Sequence, residues 1–144
     1  MIELKGNIWD QEADIILITT NGTVKANGRA VMGKGCALEA KKKYKGIDQI
    51  LGEVIIGVGN YPTVLINFSK PKIVSFPTKH NWWEKSDIDL IEQSCKELKE
   101  WIDCTTYKKI VLPRPGCGNG QLSWDVVKPI LEKYFDDRFI VCSK

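Results

Sequence analysis

The sequence predicts an α/β domain with a mixed sheet between helical layers, and three observations predict it. Apolar runs of strand length alternate with runs of helical spacing. Two of the strands empty into glycine-rich loops that lead into helices. The middle of the chain carries adjacent β-branched runs that read as a hairpin. At 144 residues the chain is long enough to bury one core, so a single domain over residues 1–144 is expected.

Each element follows from local pattern. Ile2 to Ile8 alternates as a half-buried strand does, and Asp10 to Asp14 makes a polar turn. Asp14 to Thr20 is continuously apolar, the pattern of a central strand covered on both faces, and it ends at the Asn21-Gly22 turn signal. Thr23 to Lys34 is rich in small residues, with Gly28 and Gly33 inside it and Gly35 just beyond. Cys36 to Tyr44 is strongly helix-forming. Glu53 to Val58 and Thr63 to Phe68, separated by G-N-Y-P, are the two arms of the expected hairpin. Lys72 to Pro77 is another strand, followed by the turn Thr78-Lys79-His80-Asn81. Ser86-Asp87 starts a helix to about Asp103, with Ile88, Ile91, Cys95, Leu98 and Ile102 on one face. Lys109 to Leu112 ends a buried strand, a glycine loop follows, and Ser123 caps an amphipathic run to Tyr134. Phe139 to Ser143 is a short last strand.

Composition narrows the function classes without choosing one. A net charge of +3 suits an anionic ligand or nucleic acid and selects neither. Five scattered cysteines with no C-x-x-C spacing, and one histidine, His80, leave little for a metal site, so none is expected. They fit a reduced, cytosolic chain. No apolar run is long enough to span a membrane, and a strand-like segment stands where a signal peptide would lie. A cytoplasmic, membrane-free location is therefore expected.

In open sheets, ligands sit outside the carboxyl ends of the strands, so the loops after Thr20, Pro77 and Leu112 are expected to line one crevice. Met32-Gly33-Lys34-Gly35, placed before a helix, resembles a phosphate cradle. It is neither a Walker A motif, since Cys36 stands where Ser or Thr would, nor a G-x-G-x-x-G fingerprint. In the second loop Gly116, Gly118 and Gly120 alternate, which permits positive φ and bare backbone. Strand, glycine loop and helix start turn amide N–H groups toward an anion, and two such loops on one crevice suit a diphosphate. Close helix–sheet packing would also explain the glycines.

Lys79, just past a strand end, is the candidate nucleophile: a desolvated amine attacks a carbonyl or anomeric carbon and forms a Schiff base. The plain alternative is a solvated surface lysine. His80 is a general acid or base, or a surface residue. Trp82 and Trp83 stack on a ring or cap the sheet edge. Arg114 pairs with phosphate or faces solvent. The run Lys41 to Lys43 reads as the solvated side of a helix. Cys36 and Cys117 read as small apolar fillers.

Four segments together resemble one family. They are I-I-L-I-T-T-N-G from Ile15 to Gly22, G-R-A-V-M-G-K-G-C-A from Gly28 to Ala37, P-T-K-H from Pro77 to His80, and P-R-P-G-C-G-N-G-Q-L-S-W from Pro113 to Trp124. The chain is similar to a macrodomain, and within that family to the branch of DNA-directed antitoxin macrodomains and the terminal ADP-ribose protein glycohydrolase. The resemblance implies a three-layer α/β/α sandwich with an ADP-ribose site at the strand ends. Asn7 and Ile8 fall where the family contacts adenine, with Asn7 in place of the common aspartate, so relaxed adenine selectivity is expected. Asn21 matches the asparagine near the distal ribose. Gly33, Lys34, Gly35, Cys36 and Ala37 match the first diphosphate loop, and Gly116, Cys117, Gly118, Asn119 and Gly120 the second. Thr20, Met32, Thr78, His80 and Pro115 flank these positions and are expected at the ligand. Lys79 matches the lysine that attacks the anomeric carbon.

The glycohydrolase pairs that lysine with an aspartate in the second loop, where this chain has Gly120 beside Asn119. The antitoxin type keeps the lysine with a loop like G-C-G-N-G. The resemblance therefore implies a mono-ADP-ribosyl hydrolase acting on a DNA base or protein carboxylate, with Lys79 and Asn21 as its catalytic pair. Two alternatives stay open: an ADP-ribose 1″-phosphate phosphatase using His80 as base, and a non-catalytic ADP-ribose reader. No cofactor is implied, ADP-ribose being ligand or product. The implied partners are ADP-ribose, ADP-ribosylated DNA or protein, and an ADP-ribosyltransferase toxin. A monomer is expected.

Overall fold

Alternate side chains of Ile15 to Ile18 enter two different cores, and this sets the layering. Ile16 and Ile18 pack with Ala37, Ala40, Ile47 and Leu51 on one side. Ile15 and Leu17 pack with Ile91, Leu98, Ile102, Val127 and Leu131 on the other. A strand points successive side chains to opposite faces, so a run with no polar residue must be covered on both. All four of these residues are at most 1% exposed, each burial contributing about 1.5 to 3 kcal/mol.

The computed structural model describes residues 1–144. Six strands, β1 (Ile2–Lys5), β2 (Ile15–Asn21), β3 (Val64–Ile66), β4 (Lys72–Lys79), β5 (Ile110–Pro113) and β6 (Phe139–Ser143), form one sheet in the order β1-β6-β5-β2-β4-β3. Every neighbouring pair is parallel except β3 with β4. Helices α1 (Gly35–Lys43) and α2 (Ile47–Gly57) cover one face, and α3 (Ile88–Asp103) and α4 (Trp124–Tyr134) the other. This is the three-layer α/β/α sandwich. No helix is long and apolar enough to cross a membrane.

The caps explain two helix starts. Asp87 accepts from the Asp89 amide at 2.9 Å ahead of α3, and Ser123 accepts from the Asp125 amide at 3.3 Å ahead of α4. On α3 the expected apolar face is buried from Ile91 to Ile102, whereas Ile88 in the first turn is 36% exposed.

Three expectations are corrected. Glu53 to Val58 is not a strand but the second half of α2. Its β-branched residues continue a helical spacing that starts upstream, with Ile47 and Leu51 buried, and packing overrides local propensity. The hairpin is instead β3 with β4. The first strand stops at Lys5, because Asn7 caps a 3-10 turn over Ile8–Asp10 by accepting from the Trp9 amide at 3.1 Å. Lys79 is the last residue of β4 rather than part of a turn beyond it.

A register shift accompanies that extension. Thr20 of β2 opposes Pro77, but Asn21 opposes Lys79, so Thr78 is an extra residue on β4. Such a bulge re-aims the side chains that follow it.

Helix α2 also fixes the loop that precedes the first glycine cradle. The Ala30 amide donates to the Asp48 carbonyl at 2.9 Å, and Arg29 Nη1 pairs with the buried Asp48 carboxylate at 3.0 Å. Gly52 lies so close to this loop that a Cβ there would collide with the Gly28 carbonyl oxygen. Gly52→Ala is expected to lower unfolding free energy by about 1 to 3 kcal/mol. Gly57→Ala on the same helix, where a Cβ meets open space, should be neutral or stabilise by up to about 1 kcal/mol. Urea denaturation of the two variants checks the contrast.

Candidate functional site

Because the five parallel strands all end on one edge of the sheet, the loops that follow them converge there. They enclose a cleft of about 900 Å³. It is walled by Gly6 and Ile8 beyond β1, Thr19 to Asn21 at the end of β2, and Val31 to Ala37 leading into α1. Thr78, Lys79 and Trp82 follow from β4, Pro113, Arg114 and Gly116 to Gly120 from β5, and Cys142 to Lys144 from β6.

The first loop presents the start of α1 to this space. Lys34 occupies the N-cap in extended conformation and supplies no side-chain hydrogen bond. The amides of the first turn are thus without a side-chain cap, at the positive end of the helix dipole. Cys36 holds the turn against the sheet: its Sγ accepts from the Thr19 amide at 3.3 Å and lies 3.3 Å from Thr19 Oγ1. Burial pushes its thiol above the ordinary range, so it is a packing group.

The second loop turns through a 3-10 turn over Gly118–Gly120, closed by Leu122 N donating to Gly116 O at 2.9 Å. Gly116 has φ +79, and a Cβ there would press on Ile91 and Leu122. The two loops meet across the cleft, since a Cβ on Gly35 would touch the Asn119 amide nitrogen at 3.4 Å.

Lys79 stands where they meet. Its Nζ donates to the carbonyl of Asn119 at 3.3 Å and of Trp82 at 3.4 Å. Its own carbonyl accepts from Asn60 Nδ2 at 2.9 Å, which ties the end of β4 down from the opposite side. Desolvation first, and then the positive charge of Lys34, hold its amine below the usual lysine range. Asn21, opposite it in register, donates to Val31 O at 3.0 Å and accepts from Thr23 N at 3.0 Å, leaving one amide N–H for a ligand. The buried Thr20 Oγ1, also in the wall, has no partner.

Three residues expected at the ligand lie outside the cleft lining. Asn7 uses its side-chain oxygen as a cap, Pro115 is buried beneath the second loop, and His80 turns outward. His80 is 58% exposed by side chain and its Nε2 lies 2.7 Å from Asp87. Arg114 lines the cleft, but its guanidinium sits 4.9 Å over the Trp124 ring and 3.9 Å from Glu3. Lys43, in the run read as solvated, lies over the Trp9 ring at 5.2 Å.

Sequence reasoning missed several wall residues. Gly6 and Cys142 to Lys144 could have been found by applying the strand-end rule to the first and last strands as well. Ser86 and Glu39 in the wall carry no local signal, nor does Asn60, which lies outside the lining and holds the Lys79 carbonyl. Glu39 is the only carboxylate in the wall, and it is engaged by Trp9 Nε1 at 3.2 Å and Lys144 at 3.2 Å. No group of three or more His, Cys, Asp or Glu side chains is placed so that it could hold a metal ion.

No protein-family model matches the chain. It is 31% identical over 138 residues to a DNA ADP-ribosyl glycohydrolase of Thermus aquaticus, covering 90% of this chain and 36% of that protein. The chain thus spans about a third of the length of the DNA ADP-ribosyl glycohydrolases it matches. It is 30% identical over 113 residues to the ADP-ribose glycohydrolase OARD1 of Bos taurus, covering 73% of this chain and 67% of that one. The solved macrodomain of Thermus aquaticus DarG matches with a TM-score of 0.81 and 25% identity, over 99% of this chain and 97% of that one. Thermosipho africanus DarTG in complex with ADP-ribose matches with a TM-score of 0.82 and 21% identity, over 97% of this chain and 40% of that one.

The second loop should be the less tolerant of the two. Gly116→Ala combines left-handed strain with a core collision and is expected to cost about 2 to 4 kcal/mol. Gly33→Ala, at a position with open space and no positive φ, should change stability by no more than about 0.5 kcal/mol. Denaturant midpoints of the two variants measure the difference.

Proposed function

This chain belongs to the macrodomain family, and on that premise we propose that it binds ADP-ribose in the cleft and hydrolyses mono-ADP-ribosyl linkages. The acceptor is a DNA base or a protein carboxylate, and Lys79 is the nucleophile. The observation that carries this reading is the position of Lys79: a partly desolvated amine where two amide-lined loops meet. The reading is also supported by relatives named DNA ADP-ribosyl glycohydrolase and ADP-ribose glycohydrolase, and by a structural neighbour solved with ADP-ribose.

In this mechanism the diphosphate lies between the start of α1 and the Gly116–Gly120 loop, held by backbone amides and the helix dipole. The free N–H of Asn21 orients the distal ribose. The neutral Nζ of Lys79 attacks the anomeric carbon, the bond to the acceptor breaks, and the acceptor leaves with the bonding pair. Water then hydrolyses the lysine adduct, releasing ADP-ribose and restoring the amine. A carboxylate leaves without needing a proton, as does an acidic ring nitrogen, which suits a cleft whose one carboxylate, Glu39, is already engaged. The phosphatase alternative would need a base to activate water, and His80 faces away from the cleft, paired with Asp87.

Calorimetric titration is expected to give near-unit stoichiometry for ADP-ribose with the wild type. Lys79→Ala should leave that affinity within a few-fold while removing release of ADP-ribose from mono-ADP-ribosylated DNA and protein. Turnover that survives in Lys79→Ala would leave only a cleft that binds, with other chemistry.

The pH dependence has a definite sign. Only the neutral amine attacks, so kcat should rise with pH, with an apparent pKa below that of free lysine, about 10.4. Lys34→Ala removes a positive neighbour, stabilises the ammonium form and moves this pKa upward. A pH–rate profile that does not move in Lys34→Ala would refute the electrostatic part of the argument.

A further inference from the structure

Three buried side-chain polar atoms in the molecule lack a hydrogen-bond partner: Thr20 Oγ1, Arg114 Nε and Ser86 Oγ. All three belong to residues of the cleft wall. A buried polar group left unpaired costs stability, so the few that persist call for an explanation, and a reaction in the cleft is one. The Arg114 guanidinium is otherwise taken up by Trp124 and Glu3. Of the two hydroxyls, that of Ser86 is the one linked to the reacting amine through the second loop.

Ser86 is 6% exposed and lies beneath that loop. Its amide donates to Gly120 O at 3.0 Å, and its hydroxyl stands so close under Gly120 that a Cβ there would collide with it. The residue before that glycine, Asn119, is the one whose carbonyl accepts from Lys79 Nζ. Asp87 N, one residue on from Ser86, donates to Thr78 O at 2.9 Å, which pins the serine to the end of β4 as well. The hydroxyl is thus fixed from two directions, and what covers it is glycine backbone. That cover is strained: Gln121, next in the chain, has φ +67 and is the only non-glycine residue in the left-handed region.

Forming the lysine adduct changes what the second loop is fastened to. A neutral amine has two N–H groups, enough for the carbonyls of both Asn119 and Trp82. Once Nζ is bonded to C1″ and the ribose ring opens, with a proton passing from Nζ to O4″, the iminium keeps one N–H and can hold only one of them. We propose that the Asn119 carbonyl is the one released, that the Gly120 backbone then moves off Ser86, and that the freed hydroxyl positions the water that hydrolyses the adduct. This rests on the reading of Lys79 as nucleophile. The water donates one O–H to Ser86 Oγ and turns a lone pair toward C1″. Its oxygen adds to C1″, the C1″–Nζ bond breaks with its pair going to nitrogen, and both water protons finish on Nζ as the ammonium. The aldehyde recloses through O4″ to ADP-ribose. Ser86 neither gains nor loses a proton, so it is a positioning residue, and the step needs no base in the wall.

Ser86→Ala keeps the amide to Gly120 and removes only the hydroxyl. Because that hydroxyl has no partner in the resting protein, the thermal midpoint should be unchanged or raised by about 2 to 4 °C. With mono-ADP-ribosylated DNA and protein, single-turnover release of the acceptor should stay within about twofold of wild type, while release of ADP-ribose slows about tenfold. Borohydride quenching followed by intact-mass measurement should show Lys79-bound ADP-ribose accumulating in Ser86→Ala, scarce in the wild type and absent from Lys79→Ala. Slowed acceptor release, unchanged ADP-ribose release or a lowered midpoint in Ser86→Ala would each overturn the role of Ser86 while leaving Lys79 in place. No turnover by the wild type, or turnover that survives in Lys79→Ala, would instead overturn the reading of Lys79, and the role of Ser86 with it.

Discussion

The parallel direction of β1, β6, β5, β2 and β4 is the constraint on which everything else depends. Parallel neighbours cannot be joined by tight turns, so the connections among the inner strands must cross over through helices and return. That forces helices onto both faces and leaves every carboxyl end on the same edge. The cleft is the outcome of this geometry before any particular side chain is considered. What the sequence adds is small: glycines where backbone must approach closely, and one lysine at the end of a strand buried along most of its length.

Electrostatically the cleft is built from backbone more than from charge. The start of α1 and the second glycine loop offer amide N–H groups, while Arg114 is taken up by Trp124 and Glu3. Backbone donors hold a diphosphate at fixed distances and need no counter-ion in the empty state. Lys34 then has a different part to play, raising the free energy of the ammonium form of Lys79 through space. The absence of a free carboxylate from the wall keeps that effect from being cancelled.

Much of this was legible from residue order. The continuous apolar run of β2, the caps Asp87 and Ser123, and the glycine spacing each correspond to a single physical requirement acting locally. The second half of α2 was not legible, because Val54 and Ile55 favour strand locally while Ile47 and Leu51 commit the segment to a helix from upstream. Asn7, Pro115 and His80 fall outside the cleft lining for a related reason: their neighbours in sequence reach the cleft, but they themselves are engaged in a cap, a buried turn and a hydrogen bond to Asp87. Asn60 gave no sign at all. Its hydrogen bond to the Lys79 carbonyl spans 19 residues and depends on where α2 ends.

The extra residue at Thr78 makes chain length, rather than residue identity, the guarded property of this corner. Asn21 and Lys79 face each other only because β4 counts one more residue than β2 at that point. The count is pinned on each side, with Ser94 donating to Pro77 O at 2.9 Å, Thr78 Oγ1 to Thr20 O at 3.4 Å, and Asp87 N to Thr78 O at 2.9 Å. Strand side chains repeat every two residues, so a single insertion or deletion between Pro77 and Lys79 would turn the amine away from the cleft. The segment therefore behaves like a reading frame written in space: substitutions along it degrade the message by degrees, while a shift of one erases it.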